Sequence, residues 1–130
     1  MWYSALERTH FLKNLYNDVP ELKNVRIGEF SVQDEGQIVS ISFDMPYYAD
    51  NPPEKWVKQG YNTINVRLDF TAIRELSLKS GSQDFRGNIE INKDESDLLQ
   101  IEITGTINAF IKAESGFLQS VEGYINGNLF

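Results

Sequence analysis

The chain has 130 residues, of which 41% are hydrophobic and 24% charged, with no cysteine, one histidine and a formal net charge of −7. This length is typical of one domain, residues 1–130, which can bury a core without covalent cross-links. The missing cysteines exclude disulfides and cysteine-ligated metal centres, and the excess of acids disfavours nucleic acid as a partner, because phosphate binding needs cations.

The start of the chain has no targeting character. Residues 1–8 include Glu7 and Arg8 and contain no long apolar run, so a signal peptide is not expected. No stretch of the chain approaches the roughly 20 apolar residues of a membrane-spanning helix. We therefore expect a cytoplasmic protein that makes no contact with a membrane.

A helix is predicted over residues 2–17. Its apolar residues can share one broad stripe, while charged residues face outwards. The helix should end before Pro20, because the residue that precedes a proline is pushed out of the α region. We expect this helix to pack on a sheet through Leu6, Phe11 and Leu15.

From residue 24 to residue 126 the sequence is dominated by period-two alternation of apolar and polar residues, which indicates strands with one buried and one wet face. The predicted strands are 24–33, 37–45, 61–70, 72–79, 85–92, 98–105, 106–113 and 117–124. Turns are predicted at 34–36, 80–82, 93–97 and 114–116. The predicted core is Val39, Ile41, Phe43, Ile64, Val66, Leu68, Ile89, Ile91, Leu99, Ile101 and Ile103.

Strands that follow one another through short turns predict an α+β fold. It is an antiparallel β-meander of about eight strands, curled into one strongly bent sheet or a sandwich, with the N-terminal helix covering one open face.

The segment 46–60 interrupts this pattern. Its prolines at 46, 52 and 53 cannot donate to a sheet ladder, so a long loop is predicted, with one helical turn near residues 54–58. The loop and the strand end before it combine large aromatic side chains with acids, a composition typical of binding surfaces. The candidate partner-binding residues are Asp44, Tyr47, Tyr48, Asp50, Glu54 and Trp56.

Each aromatic residue of this loop has a structural interpretation as well. Trp56 can plug the end of a sheet core, which is the favoured reading, or form an exposed contact. Tyr47 and Tyr48 are adjacent, so on an extended chain one should face inwards and the other outwards.

No residue pattern supports catalysis or a cofactor. His10 is the one histidine, and a general base also needs a partner placed by the fold. Asp94, Glu95 and Asp97 lack the glycine and the ligand spacing of a calcium loop. We therefore expect no enzyme activity, no cofactor and no metal.

The hairpin at residues 84–102 carries six acids against two bases. The simpler interpretation is a solvated hairpin that keeps the protein in solution. The alternative is an electrostatic landing surface for a basic partner.

Several short motifs resemble the immunity protein 50 family of bacterial polymorphic toxin systems. They are Met1-Trp2-Tyr3, the loop at 50–56, the segments 61–63 and 68–70, and the stretches 112–117 and 121–124. The resemblance implies a small cytoplasmic protein, encoded beside a toxin, that binds and neutralises the toxin's active domain. It implies no catalytic residues.

Two functions therefore remain open from the sequence. The first is an immunity protein that occludes a basic cognate toxin domain without covalent chemistry. The second is a small-molecule or carbohydrate-binding β-module in which Tyr47, Tyr48 and Trp56 form a stacking platform. A concave pocket lined by two or more of these rings would favour the second function.

Overall fold

The computed structural model describes residues 1–81 and 84–129. Its strands are β1 (Leu22–Gln33), β2 (Ile38–Asp44), β3 (Thr63–Ser80), β4 (Arg86–Lys93), β5 (Leu99–Gly105) and β6 (Ile107–Tyr124). Its helices are α1 (His10–Leu15) and α2 (Glu54–Gln59), and single 3₁₀ turns lie at Trp2–Ala5, Asp34–Gly36 and Gly127–Leu129.

All strand pairings between these elements are antiparallel, and the sheet closes on itself in the order β1-β2-β3-β6-β5-β4. Closure comes from the first residues of β1, where Leu22 lies opposite Ile89 and Val25 opposite Gly87 of β4. A closed sheet leaves few unpaired edges. The prediction of an antiparallel, β-rich fold is confirmed, but the predicted meander is wrong, because β3 pairs with β6 and β1 pairs with β4.

The predicted number of eight strands is wrong, because the described residues form six. The break between the predicted strands 61–70 and 72–79 is a bend within one strand, β3, where Ala72 adopts φ 55° and the register shifts between Ile73 and Glu75. The turn expected at 114–116 is continuous strand in β6, where Gly116 lies opposite Phe70. The predicted turn at 80–82 lies partly outside the described residues.

The core lies inside the closed sheet. Every residue of the predicted core is buried, so the alternation pattern assigned the inner faces of β2, β4 and β5 and of the first half of β3 correctly. The register explains this agreement: Ile41 lies opposite Leu68, and Ile101 lies opposite Ile111, so apolar residues face one another across neighbouring strands.

The single helix predicted over residues 2–17 is wrong in its extent. A 3₁₀ turn and α1 are separated by an extended segment, in which Glu7 bridges to Phe117 of β6 and Arg8 adopts φ 63°. The backbone of Glu7 exchanges hydrogen bonds with Gly116 and Leu118 at 3.2 and 3.0 Å. These tertiary bonds outweigh the local preference for one continuous helix.

The packing of α1 also differs in one residue from the prediction. Leu6 and Leu15 are buried as expected, but Phe11 is 44% exposed and Leu12 takes the buried position. Successive helical residues lie about 100° apart, so Phe11 and Leu12 cannot both face the sheet. Among the described helices, none has the length and apolar character needed to cross a membrane.

Candidate functional site

The loop between β2 and β3 is held rigidly around α2. Pro53 occupies the N-cap position, and its carbonyl accepts the amide N–H of Trp56 at 2.9 Å. Gly60 ends the helix with φ 70°, a left-handed conformation that glycine adopts without strain. The helical turn predicted near residues 54–58 is confirmed, and it gives Trp56 a fixed position.

The indole of Trp56 is the centre of a group of four rings, which we call the aromatic cluster. Ring centroids of Phe11, Tyr61 and Tyr48 lie 5.9, 6.2 and 6.4 Å from that of Trp56, and the Phe11 ring meets it edge-on at 85°. Such separations and angles are those of favourable aromatic pairs. The cluster joins α1, α2 and the loop into one surface.

Gly123 of β6 forms the floor of the aromatic cluster. A Cβ atom added there would lie 2.6 Å from Cδ2 of Tyr61 and 2.9 Å from Cδ2 of Trp56. Glycine therefore allows the rings to lie directly on the strand. Trp56 combines both interpretations offered by the sequence, because it is half-buried against the sheet and leaves part of its ring at the surface.

Tyr47 and Tyr48 point to opposite sides of the chain, as their adjacency predicts. Tyr47 is 50% exposed, and its ring meets that of Tyr16 edge-on at 5.5 Å. The buried hydroxyl of Tyr16 donates to the carbonyl oxygen of Tyr47 at 2.6 Å, and burial raises the pKa of Tyr16 well above its usual range. The hydroxyl oxygen of Tyr48 is buried, with no hydrogen-bond partner within the described chain.

Asp44 lies inside the structure, at the end of β2. Its Oδ2 accepts the hydroxyl of Tyr124 at 2.7 Å and Nη1 of Arg26 at 3.2 Å, and its Oδ1 accepts the amide of Asn65 at 3.2 Å. This carboxylate therefore links four strands of the closed sheet. Because it is only 8% exposed, it is not available as a charge on the rim of a binding surface.

Asp50 and Glu54, by contrast, lie at the surface beside the aromatic cluster. Oδ2 of Asp50 accepts the backbone N–H of Asn17 at 3.0 Å, which ties the loop to the end of α1. Glu54 pairs with Lys58 one helical turn later at 3.3 Å, and both side chains are largely exposed. Exposed pairs of this kind add little stability, so a partner could break this pair at small cost.

The structure adds two residues that the sequence analysis did not place at the surface. Phe11 contributes the exposed edge of the aromatic cluster, and Val57 of α2, next to Trp56, is 62% exposed. The sequence places Phe11 on the buried stripe of the predicted helix, and it does not single out Val57 within the helical turn predicted near residues 54–58.

Other candidate sites have ordinary structural roles. His10 is exposed and lies 3.2 Å from the side-chain amide of Asn14. Within the described ranges, no three His, Asp or Glu side chains are arranged to hold a metal ion. Among the described residues, surface cavities of about 280, 550 and 460 Å³ are lined by residues other than Tyr47, Tyr48 and Trp56, and Asp44 lines the cavity of about 550 Å³.

The acidic hairpin uses part of its charge internally. Oδ1 of Asp94 accepts the backbone N–H groups of Ser96 and Leu98 at 2.8 and 3.0 Å, and Oδ2 lies 3.5 Å from Nζ of Lys112. The hydrogen bond from Leu98 is the main cause of the lowered pKa of Asp94. Asp97 pairs with Lys93 at 3.4 Å. These contacts favour the interpretation of a well-formed, solvated hairpin.

A comparison with solved structures concerns the fold. A crystal structure of an uncharacterized protein from Neisseria gonorrhoeae matches with a TM-score of 0.50 and 17% sequence identity, over 75% of this chain and 92% of that chain. This likeness concerns the fold alone. No curated protein matches the chain.

The sequence then identifies the family. The sequence model of the family described as immunity protein 50 matches residues 8–124, which is most of the chain. The chain therefore belongs to the immunity protein 50 family, as its short motifs had indicated. Membership points to a role in toxin immunity and to a protein toxin as partner.

Proposed function

We propose that this protein neutralises a cognate toxin domain by binding it tightly and covering its active surface, without covalent chemistry, in the bacterial cytoplasm. The observation that carries the proposal is that α1, α2 and the loop before α2 expose apolar and aromatic side chains, together with the acids of the same loop, on a member of an immunity protein family. The proposed surface consists of Phe11, Tyr47, Trp56 and Val57, with Asp50 and Glu54 beside them.

The aromatic part of this surface suits a binding centre. Phe11 and Trp56 present rigid rings that are already held by neighbouring rings, so little side-chain entropy is lost when a partner covers them. Large, ordered aromatic residues are the type that carries most of the free energy at protein interfaces. Val57 extends the apolar area without adding a polar group that must be desolvated.

The acids suit a basic partner. The net charge of −7 attracts a cationic domain over long range, and Asp50 and Glu54 supply exposed carboxylates on the loop and α2, where Lys55 and Lys58 balance their charge. Charges at the rim of an interface act mainly on the rate of association. Asp44, although it was a candidate from the sequence, is left out because its carboxylate is buried.

The alternative of a carbohydrate-binding module has less support. A sugar site needs a concavity in which rings stack on the ligand, and the three cavities described above do not include Tyr47, Tyr48 or Trp56. The aromatic cluster instead presents ring edges on a half-exposed surface, which fits a protein partner better.

Binding kinetics with the toxin domain encoded by the neighbouring gene test the proposal. We expect Phe11→Ala to weaken binding about 30-fold or more, mainly by faster dissociation, which is the effect of losing an interface hot spot. Val57→Ala should weaken it less. Val32→Ala is the matched control, because Val32 is also about half exposed but lies on β1.

The charged rim gives a second readout. Replacing Asp50 by Asn and Glu54 by Gln should slow association and flatten its salt dependence, while dissociation changes little. Thermal melts of each variant separate lost binding from lost folding. If folded variants at 11, 50, 54 and 57 all bind as the wild type does, the proposed surface is wrong.

A further inference from the structure

The second half of β3 has a free edge. Pairing of β3 with β2 ends at Thr71, which lies opposite Ile38, whereas pairing with β6 continues to Ser80. Residues 73–79 therefore have a strand neighbour on one side only, as far as the described chain shows. Backbone groups along a strand point alternately to its two sides, so about half of those in this segment face away from β6.

This free edge is long enough to pair with another strand. Seven residues of strand span about 23 Å, and the sequence Ile-Arg-Glu-Leu-Ser-Leu-Lys contains no proline that would block a ladder. Residues 74–79 are exposed, including Leu76 at 36% and Leu78 at 46%. Exposed apolar residues on an unpaired edge favour association with a further strand.

The two leucines lie on the inner face of the sheet. Leu76 is opposite Ile111 and Leu78 is opposite Ala109, and both of these partners are buried. The apolar inner face of the sheet therefore extends as far as the free edge, where its leucines are partly exposed. Residues 75, 77 and 79 point to the other face, because side chains alternate along a strand.

We propose that this edge binds the same edge of a second copy of the chain, in antiparallel pairing about a two-fold axis at Ser77. In this register Glu75 lies opposite the second copy's Lys79, and Leu76 lies opposite the second copy's Leu78. The two-fold axis repeats both pairs, so the interface contains two opposite-charge pairs on one face and two apolar pairs on the other. Cross-strand pairs of both kinds stabilise sheets.

The chemistry of the edge selects this register. Moving the axis to Leu76 would place Ile73 opposite Lys79 and Arg74 opposite Leu78, which mixes charged with apolar side chains. The axis at Ser77 forms both opposite-charge pairs and both leucine pairs within residues 75–79. A two-fold interface is isologous, so one self-complementary strand is sufficient to form it.

The free edge is separate from the surface proposed for the toxin. It belongs to the far half of β3, whereas the aromatic cluster lies on α1, α2 and the end of β6 that carries Gly123. Thr63, at the opposite end of β3, is the residue that pairs with Tyr124 beside that glycine. A dimer formed at residues 73–79 therefore leaves both toxin-binding surfaces open.

Sedimentation velocity of the full chain tests the proposal through charge reversal. Wild-type protein should form a dimer as its concentration rises to about 1 mM. Glu75→Lys and Lys79→Glu should each lower the dimer association constant about tenfold or more, because each turns both charge pairs into like-charge pairs. Glu90→Lys, an exposed reversal on β4, is the matched control and should leave association unchanged.

Mixing the two variants gives the decisive measurement. A Glu75→Lys chain and a Lys79→Glu chain have complementary edges, so an equimolar mixture should dimerise although neither variant does so alone. The double variant E75K/K79E should dimerise with itself. If Glu75→Lys does not fold, hydrogen exchange of the wild type replaces the mixing experiment. The amides of residues 73–79 should then gain protection as the protein concentration rises.

Three results would overturn the proposal. The first is a wild-type chain that stays monomeric up to about 1 mM. The second is a dimer in which amides 73–79 gain no protection, since another surface would then form it. The third is a failure of the folded complementary variants to associate on mixing.

Discussion

Replacement of Tyr48 by Phe should stabilise this protein. The Tyr48 ring packs against Trp56 at 6.4 Å, and its buried hydroxyl oxygen has no hydrogen-bond partner in the described part of the chain. Burial, followed by the charge of nearby Tyr61, raises the pKa of this hydroxyl, so the group is neutral at physiological pH. Folding therefore buries this polar group without a hydrogen bond from the described protein.

The expected magnitude follows from this missing bond. A buried polar group without a partner costs about 1–3 kcal/mol. Phenylalanine keeps the ring and its contacts and leaves only the small space of one oxygen atom. We expect the free energy of unfolding of Tyr48→Phe to rise by about 1–2 kcal/mol and Tm to rise by about 3–6 °C for a chain of this size.

Urea denaturation measures the effect, with the midpoint rising and the slope unchanged. Tyr16→Phe is the matched control, because the Tyr16 hydroxyl donates to the carbonyl of Tyr47 at 2.6 Å. Its loss should lower the free energy of unfolding by about 1 kcal/mol or more. A Tyr48→Phe variant that is less stable than the wild type would refute the reasoning, since the hydroxyl must then be hydrogen-bonded.

Two further substitutions and one pH series test the rest of the fold. Gly116→Ala should lower the free energy of unfolding by about 1–3 kcal/mol. The added Cβ would lie 2.7 Å from Cδ1 of Phe70 and 2.9 Å from Cδ1 of Leu99. Thermal melts measure this loss, and an unchanged Tm would contradict the packing. Burial, and then the hydrogen bond to Asp44, raises the pKa of Tyr124 to about 12 from an ordinary 10.0. The unfolded chain therefore loses this proton first, so stability should fall in urea titrations as pH rises from about 10 to about 12, and less steeply in Tyr124→Phe.

The inner faces of the strands could be predicted because the alternation of apolar and polar residues depends only on neighbours in the sequence. In a strand this alternation directly indicates which side chains are buried. Val39, Ile41 and Phe43 alternate with polar residues, and a slip of one residue would expose all three. The pairing partners and the continuity of strands are not local signals. Ser115 and Gly116 have turn chemistry, yet they pair with Thr71 and Phe70 within one unbroken strand.

Only those residues of the candidate site that lie near one another in the sequence could be predicted. The loop placed Tyr48 and Trp56 near each other, and their rings are in contact. Phe11 reaches the same cluster because α1 docks beside α2, a tertiary contact that no short motif encodes. Asp44 was wrongly assigned to the surface for the same reason. Its sequence neighbours do not show that Arg26 and Tyr124, from other strands, bind its carboxylate.

The long pairing of β3 with β6 has a consequence for how the protein is made. β6 is the last strand among the described residues, and it joins β3 to β5, so the ring of strands cannot close until β6 has left the ribosome. Until then, β3 presents a whole unpaired side to other nascent chains. Sheets closed by such distant pairings fold slowly, on the order of milliseconds to seconds. Because β6 lies between β3 and β5, a chain truncated before β6 would leave both of these strands with an unpaired edge.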